Sequence, residues 1–254
     1  MKKQFLQKLW FSPKENSNNV YKKTFKDNYT LEVDFDNKKI IYWNKIKSWR
    51  ATTQNFSDAE NWVVLECVNR LLEKWYKAED IELEKWFPAG HGVTKYLDIL
   101  VKKDWKIFLM IECKTWWKEF EKELNNMNKS EKNQLFTYFQ QDRDADYLIL
   151  YASNENWDYK NEIVKIEDSY RETSNAKDFF DRWNKLTKQN WIFENWINAY
   201  DFESRALTLN DLEDIKEEDA SYIFNRFLEI LRHNTVSDKP NAFNKMFTLK
   251  ILIK

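Results

Sequence analysis

Two apolar, β-prone runs in the middle of the chain carry charged residues where a buried strand should carry none. The runs are residues 96–101, Tyr-Leu-Asp-Ile-Leu-Val, and residues 107–114, Ile-Phe-Leu-Met-Ile-Glu-Cys-Lys, and a short turn separates them. This pattern predicts an antiparallel β-hairpin. Because strand side chains alternate between faces, Glu112 and Lys114 project to the same side of the sheet, with Asp98 on the neighbouring strand.

An aspartate facing a Glu-x-Lys pair is the arrangement that a metal-dependent phosphodiesterase needs. Carboxylate oxygens hold hard divalent cations. A lysine beside them can orient the attacking water or offset the charge that develops on the phosphate. The alternative interpretation of the same residues is a solvated sheet face with a cross-strand ion pair.

Charge and cysteine usage limit the other possibilities. Forty-one Lys and Arg residues nearly balance 42 Asp and Glu residues, so a DNA-binding surface has to be a local patch. Cys67 and Cys113 lie in apolar runs, which is typical of buried cysteines in a reducing compartment. Two histidines without paired spacing do not favour a zinc site. The chain has neither an apolar stretch of membrane-spanning length nor a signal-peptide core, so we expect a cytoplasmic protein.

Glycine is scarce and tryptophan abundant. The chain has two glycines, where typical usage predicts roughly eighteen, and thirteen tryptophans. Asp104-Trp105 occupies the hairpin turn, where Asp-Gly is expected because the turn needs positive φ. Our hypothesis is that UGA codons read as glycine in the source organism are written here as tryptophan; the alternative is a Trp-rich protein with loops of other types. The candidates are Trp10, Trp43, Trp49, Trp75, Trp105, Trp117, Trp157 and Trp191.

The first part of the chain predicts a hairpin followed by a helix. Residues 29–35 and 39–42 alternate apolar positions around an Asp-Asn turn. Ser57-Asp58 resembles a helix cap, and the helix after it should run to about Tyr76, with Glu60 in the centre of its apolar stripe and Glu66 well off it. Glu60 is then either a metal-site carboxylate or a first-turn glutamate that the helix dipole favours. The apolar stripe comprises Ala59, Val63, Val64, Cys67, Val68, Leu71 and Leu72.

The remaining elements predict an α/β core with a mixed sheet flanked by helices. Strands are expected at 81–84, 146–152 and 162–166, a helix at 132–141, and a mobile, partly helical insertion at 120–132. Helices are expected at 179–186, 209–215, 220–231 and from Pro240 onward. The domain prediction is an N-terminal β-hairpin extension over 1–56, a core over 57–172 and a helical C-terminal extension over 173–254.

Together these residues resemble the PD-(D/E)xK (restriction-endonuclease-like) nuclease superfamily, in its branch with a Gln-x-x-x-Tyr helix. The resemblance rests on Asp98, on Glu112-Cys113-Lys114 and on Gln134-Leu-Phe-Thr-Tyr138. That branch includes the nuclease domain of type I restriction endonuclease subunits. Four longer segments are similar to restriction proteins that join such a nuclease to an N6-adenine DNA methyltransferase, and residues 231–245 resemble the helical segment that leads into the methyltransferase there. The four segments are residues 55–61, 96–101, 110–116 and 134–142.

The resemblance implies a Mg²⁺-dependent endonuclease of a restriction-modification system, acting on DNA. Asp98 and Glu112, with the backbone carbonyl of Cys113, would be metal ligands, Lys114 the catalytic lysine, and Glu60 the helix carboxylate that completes the metal shell. Gln134 and Tyr138 would support the site or touch the DNA backbone. Phosphate contacts are expected from lysines near the site, such as Lys95, Lys118 and Lys122, although for each lysine alone a solvated surface position is the favoured interpretation.

Two departures from the family pattern bear on these expectations. The strand before Asp98 lacks the proline of the family name, which the superfamily dispenses with. The chain also contains no Asn/Asp-Pro-Pro-Tyr motif and no glycine-rich cofactor loop, so it should not methylate DNA and looks like the front part of a longer protein that works with a methyltransferase or specificity partner. A catalytically silent assembly fragment of such a complex and a structure-specific DNA repair nuclease are the alternatives.

Overall fold

The structure is a computed structural model that describes residues 2–15, 17–88, 94–129, 133–156 and 158–172, together with residues 188–189, 193 and 198–200. All of these belong to one compact unit, residues 1–202. The helices expected at 179–186, 209–215, 220–231 and from Pro240 onward lie outside the described residues, as do Trp157 and Trp191. The domain boundaries at 56/57 and 172/173 stay predictions.

The N-terminal part forms a short helix and a four-stranded antiparallel sheet. The elements are α1 (Lys2–Lys8), β1 (Ser12–Pro13), β2 (Val20–Thr24), β3 (Thr30–Asp34) and β4 (Lys39–Tyr42), and the strands lie in that order. The predicted hairpin is confirmed as β3 and β4. Strand β2 is an addition that the sequence signals poorly, because two of its five residues are lysines and only Tyr21 is buried.

A seven-stranded mixed sheet forms the centre of the unit. Its strands are β5 (Lys47–Ser48), β6 (Ile81–Pro88), β7 (Thr94–Lys103), β8 (Lys106–Thr115), β9 (Tyr147–Ser153), β10 (Tyr159–Lys165) and β11 (Lys188–Gln189). The order across the sheet is β11-β10-β9-β8-β7-β6-β5. The β8–β9 and β5–β6 pairs are parallel and the other neighbours antiparallel. The mixed α/β class is therefore confirmed, with β7 and β8 as the predicted hairpin.

Helix α2 (Glu60–Glu73) begins later and ends earlier than predicted, and Ala59 of the predicted stripe is exposed. Residues 61–73 are all buried. One side of α2 packs on the central sheet, and Lys23 of β2 reaches the other side, where its Nζ donates to Asn69 Oδ1 at 2.7 Å. A helix between two sheets has no solvent face, so the apolar stripe alone does not set which of its residues are buried.

The opposite face of the central sheet is covered by α3 (Lys118–Lys129) and α4 (Gln134–Gln141), and a short helix, α5 (Asp168–Arg171), follows β10. The predicted insertion at 120–132 is largely the regular helix α3, whose Phe120 and Met127 are buried at helical spacing. Asn133 caps α4, because its side chain accepts a hydrogen bond from the Phe136 N–H at 2.8 Å. Short 3₁₀ turns lie at Lys26–Asn28, Thr52–Gln54 and Ala78–Asp80.

Two candidate glycine positions close helices in the left-handed conformation. Trp10 (φ 66°) follows α1 and Trp75 (φ 72°) follows α2. At the end of α2 the Trp75 N–H donates to the Leu72 carbonyl at 3.0 Å, and the Tyr76 N–H donates to the Leu71 carbonyl at 3.1 Å. This is a Schellman motif with tryptophan at the position that usually holds glycine, and the same pattern of bonds closes α1.

Two more candidates lie in turns around β8. Lys103 and Lys106 pair as the last rung of the β7–β8 hairpin, so the loop between them has two residues, Asp104 (φ 49°) and Trp105 (φ 70°). Positive φ at both central positions defines a type I′ turn, for which Asp-Gly is a preferred sequence. Trp117 (φ 78°) precedes α3.

Nine described residues other than glycine have positive φ, and four of them are tryptophans. Tryptophan has no local means of stabilising that conformation, whereas glycine adopts it without steric penalty. The backbone thus supports the glycine hypothesis at Trp10, Trp75, Trp105 and Trp117. It gives no such support at Trp43 and Trp49, which lack positive φ.

Both cysteines, Cys67 and Cys113, are buried and free of disulfide bonds, as the sequence predicts. Among the described helices, none has the length and apolar character required to cross a membrane.

Candidate active site

Strands β7 and β8 separate at the predicted acidic residues. The last pair of their ladder in this direction is Ile99–Ile111, and the next residues along the two strands are Asp98 and Glu112. Asp98 is buried, and its Oδ2 accepts a hydrogen bond of 2.6 Å from the Cys113 N–H. The Asp98 side chain therefore takes a backbone donor of β8 at the point where the ladder ends.

Lys114 links two of the predicted carboxylates. Its Nζ lies 2.8 Å from Glu112 Oε1 and 3.4 Å from Glu60 Oε2. An ion pair is thus present, as in the alternative interpretation of the Glu-x-Lys pattern, but it is not on a solvated face, because Glu112 is only 2% exposed. The other carboxylate oxygen, Glu112 Oε2, is buried and has no hydrogen-bond partner among the residues that the structure describes.

Glu60 is the first residue of α2, where its N–H has no acceptor within the helix and instead donates to Asp58 Oδ1 at 2.9 Å. The predicted Ser57-Asp58 cap is therefore displaced by one residue: Ala59 occupies the cap position, and Asp58 still bonds to the helix start. A glutamate here benefits from the helix dipole. Its side chain also reaches Lys114 at the end of the sheet. The first-turn position of Glu60 is therefore confirmed, and its role as a metal-site carboxylate stays a prediction.

Burial dominates the electrostatics of the cluster. It raises the pKa of Asp98 well above its ordinary range, and the neighbouring Glu112 charge adds to that rise while Lys114 opposes it. Burial likewise raises the pKa of Glu112 to about 7, against the opposing charge of Lys114, and it raises the pKa of Glu60. For Lys114, burial acts to lower the pKa, but the charges of Glu112, Asp98 and Glu60 together outweigh it and the pKa is raised. Near neutral pH the lysine therefore stays charged, while the carboxylates compete for protons.

Helix α4 places Tyr138 next to the acidic cluster. The Tyr138 hydroxyl donates to the Tyr96 carbonyl at 2.8 Å, two residues before Asp98. Burial raises the pKa of Tyr138, and the charges of Glu112 and Asp98 raise it further, so this side chain lies near both acids and stays protonated. Gln134 lies one turn earlier, and its side chain hydrogen-bonds to Tyr138. The predicted support by α4 thus connects to β7 through Tyr138.

Glu84 on β6 is a further buried acid at the site. The pairs Leu83–Ile99 and Lys85–Leu97 flank it, which places Glu84 opposite Asp98. Its φ of 54° interrupts the extended strand. Burial raises its pKa, a hydrogen bond from Thr52 opposes the rise, and its own charge contributes to the raised pKa of Tyr138. The sequence signal for Glu84 was its charge within a predicted strand, the same signal that marks Asp98.

Two other buried acids have different roles. Glu123 of α3 accepts from the Gln134 N–H at 3.1 Å through Oε1, so it fixes the start of α4. Glu66, predicted to point away from the apolar stripe of α2, is instead fully buried. It bonds to Arg70 at 2.6 Å and accepts a hydrogen bond from the Tyr151 hydroxyl. A position off the apolar stripe therefore does not leave Glu66 exposed, because α2 is covered on more than one side.

The lysines predicted to contact phosphate differ in their surroundings. Lys95 is half-buried on β7 opposite Phe87, and Lys118 is exposed at the start of α3. Lys122 is exposed and lies 3.8 Å from Glu119 in a surface ion pair. These positions leave the phosphate role of the three lysines a prediction.

Asp98 and Glu112 fit a divalent cation better than they fit a closed ion-pair network. Burial raises the pKa of both carboxylates, the charge of Glu112 raises that of Asp98 further, and Glu112 Oε2 is left without a donor in the described part of the chain. Buried negative charges of this kind are stabilised by a nearby positive charge. Their oxygen chemistry suits Mg²⁺. Within the same described residues, however, no group of three or more His, Cys, Asp or Glu side chains is placed to hold a metal ion. The fit is therefore to an ion that takes two side-chain carboxylates, with Glu60 held by Lys114.

In comparisons with known proteins, no family model matches the chain, and no curated protein does either.

Proposed function

We propose that the chain is a Mg²⁺-dependent endonuclease module of the PD-(D/E)xK type that hydrolyses phosphodiester bonds in DNA. The observation that carries the proposal is the meeting of Asp98, Glu112 and Lys114 in a largely buried cluster where β7 and β8 separate. A fold that only needed stability would replace these charges with apolar residues, because buried ion pairs contribute little net stability. Charges retained at such a place favour a catalytic role.

Each residue has a distinct task in this proposal. Asp98 and Glu112 would hold the ion, with the Cys113 carbonyl as a further ligand that the family resemblance implies. Glu60, the other ligand that the resemblance implies, would have to exchange its contact with Lys114 for the ion. Bound Mg²⁺ would supply a Lewis acid and a water of lowered pKa. Lys114 keeps its proton because its pKa is raised, so it acts as a fixed cation and hydrogen-bond donor toward the water or the phosphate and not as a general base. Tyr138 positions β7 through its bond to the Tyr96 carbonyl.

We extend the proposal to the setting of the enzyme. The resemblance to restriction proteins favours a module of a cytoplasmic restriction-modification system, in which a methyltransferase or specificity partner selects the DNA sequence. Phosphate contacts by Lys95, Lys118 and Lys122 belong to the same proposal.

A second candidate is a catalytically silent assembly fragment. The Lys114–Glu112 ion pair favours it, because the lysine occupies one face of the carboxylate that a metal would use. The two candidates differ in whether the purified chain cuts DNA.

Cleavage of plasmid DNA separates them. The wild-type chain should cut in Mg²⁺ and stay inactive in EDTA, whereas Ca²⁺ should support binding without cutting. Asp98→Ala and Lys114→Ala should each abolish cutting while circular dichroism stays native. Lys106→Ala is the matched control, since Lys106 is an exposed lysine of the same strand. Cleavage that survives in either site variant would remove the site assignment, and a wild-type chain that never cuts would favour the silent fragment.

A further inference from the structure

A short basic segment runs beside the candidate active site. Strand β5 pairs in parallel with β6 through Ser48–Leu83, and the Trp49 N–H donates to the Leu83 carbonyl at 3.0 Å. A few residues later the Thr52 carbonyl accepts from Asn61 Nδ2 of α2 at 2.8 Å. Residues 47–52 are thereby fixed between the edge of the sheet and the first turn of α2, which carries Glu60.

Arg50 is a cation of this segment that lies beside strand β7, which carries Asp98. Its guanidinium carbon lies 4.1 Å from the centre of the Tyr96 ring, and Tyr96 is two residues from Asp98 on β7. The charge of Arg50 also opposes the raised pKa of Glu84, which lies opposite Asp98. Arg50 is exposed, so its donors are available to a ligand at the mouth of the site.

Two lysines extend the positive charge along the sheet edge. Lys47 Nζ lies 3.6 Å and Lys85 Nζ 4.1 Å from the ring centre of Trp49, so one ring holds both. Among the described residues, no carboxylate forms an ion pair with Lys47, Arg50 or Lys85. Lys23, Lys102 and Lys114, by contrast, each pair with a glutamate.

We propose that Lys47, Arg50 and Lys85, here called the basic edge, bind the phosphate backbone of DNA while the phosphate to be cut lies at Asp98 and Glu112. The proposal rests on the proposed function and names the surface by which the substrate is held. Phosphate contacts position a nucleic acid without reading its sequence. A guanidinium held on an aromatic ring is preorganised for two-pronged contact with a phosphate.

Local placement of these cations matters because the whole chain attracts DNA weakly. The formal net charge is −1, so no long-range field draws a polyanion to the molecule. Strands β6 and β7 are neighbours, about 4.8 Å apart in any sheet. Lys85 and Arg50 therefore lie within one or two strands of the acidic cluster. Their positive charges offset its negative charge, which would otherwise repel a phosphate backbone.

DNA binding measured apart from cutting tests the basic edge. Anisotropy of a fluorescein-labelled duplex is followed in Ca²⁺ over a series of salt concentrations, with the full chain. Arg50→Ala should weaken binding about tenfold, as expected for the loss of one charge-assisted phosphate contact. The triple variant Lys47→Ala/Arg50→Ala/Lys85→Ala should lower the slope of log affinity against log salt by about 3, since each phosphate contact contributes about 1.

Lys26→Ala is the matched control. Lys26 is also an exposed cation on an exposed tryptophan, 4.0 Å from the ring centre of Trp75, but it lies near the C-terminal end of α2 and not near Glu60. Its removal should change affinity less than twofold. An equal loss of affinity in the Lys26 and basic-edge variants would overturn the proposal, because it would mean that DNA binds by total charge alone.

The remaining outcomes separate this proposal from the nuclease assignment. If the wild-type chain cuts DNA and the triple variant binds and cuts equally well, the basic edge is wrong and the active site stands. If wild type fails to bind the duplex, the basic edge is overturned as well. Displacement of the duplex by poly-glutamate at equal charge concentration would assign the surface to an acidic protein and would also overturn it.

Discussion

The acidic cluster and the tryptophan-bearing turns both hold residues in unfavourable surroundings, but for opposite reasons. At the cluster, each buried carboxylate has one specific partner: Asp98 Oδ2 has the Cys113 N–H, and Glu112 Oε1 has Lys114. At the hairpin turn, the Trp105 side chain is 96% exposed while its backbone is left-handed. Partnered charge in a buried place indicates function, whereas an unpartnered bulky residue in a strained turn indicates that the turn was built for a smaller one.

The largest expected effect on stability comes from relieving all four turns together. Replacing Trp10, Trp75, Trp105 and Trp117 by glycine should raise the free energy of unfolding by about 4 kcal/mol, because each left-handed residue with a Cβ costs about 1 kcal/mol and the four positions lie in separate turns whose effects add. Urea denaturation of the quadruple variant measures this. DNA cleavage should stay within twofold of wild type.

The codons of the gene give an independent check of the same comparison. UGA at these four positions would agree with the hypothesis that glycine is the native residue. UGG there would end it, and a quadruple variant less stable than wild type would show that the indole rings contribute more than the backbone strain removes.

The next effect concerns the cluster and depends on pH. The pKa of Glu112 is raised to about 7 in the folded chain, against 4.5 when unfolded. Below pH 4.5 the Glu112 side chain is protonated in both the folded and the unfolded chain, so its burial does not lower the free energy of unfolding. Between pH 4.5 and pH 7 the folded chain binds the Glu112 proton more tightly than the unfolded chain does. Because the unfolded chain loses this proton first as the pH rises, the free energy of unfolding falls by about 3 kcal/mol in total. Measured in EDTA, Glu112→Gln should therefore gain about 3 kcal/mol relative to wild type between pH 4 and pH 8.

A matched pair of curves decides that prediction. If the difference between Glu112→Gln and wild type is the same at pH 4 and pH 8, Glu112 titrates normally and the cluster is not strained. The gain should come with loss of cleavage, which separates this variant from the glycine variants.

The smallest expected effect on stability comes from changing a single turn. Trp105→Gly should raise the free energy of unfolding by about 1 kcal/mol, because Asp-Gly suits the type I′ turn. Trp43→Gly is the control: Trp43 is also exposed, at 47%, but it lacks positive φ, so the change should be neutral or destabilising. Equal gains in both variants in thermal denaturation would attribute the effect to removal of an exposed ring and not to the backbone.

Local patterns in the sequence were sufficient for the centre of the site. The period of two along a strand places Glu112 and Lys114 on the same face, so their proximity could be predicted. The two-residue turn alone does not give the residue of β7 that lies beside them, because the pairing of β7 and β8 shifts register between Val101 and Lys102. The deep burial of Glu112 could not be predicted, because it depends on α3 and α4 closing over one face of the sheet. Glu60 was accessible to prediction because a helix start is signalled locally.

Features that depend on the whole fold escaped prediction. Glu66 is buried because sheets cover α2 on more than one side, which no helical periodicity reveals. The placement of Glu84 opposite Asp98 follows from the register of β6 and from a left-handed residue within a strand. Arg50 reaches Tyr96 only because β5 adds to the edge of the central sheet, and a two-residue strand has almost no sequence signal.

The tip of the β7–β8 hairpin is a suitable position for attaching a label to the protein. Asp104 is six residues from Asp98 along a strand, or about 20 Å at the usual rise per residue. A dye, an affinity peptide or a short loop grafted between Asp104 and Trp105 would sit in solvent, far from the chemistry. Because of the same distance, the fluorescence of the Trp105 indole should not change when DNA binds at the opposite end of the hairpin.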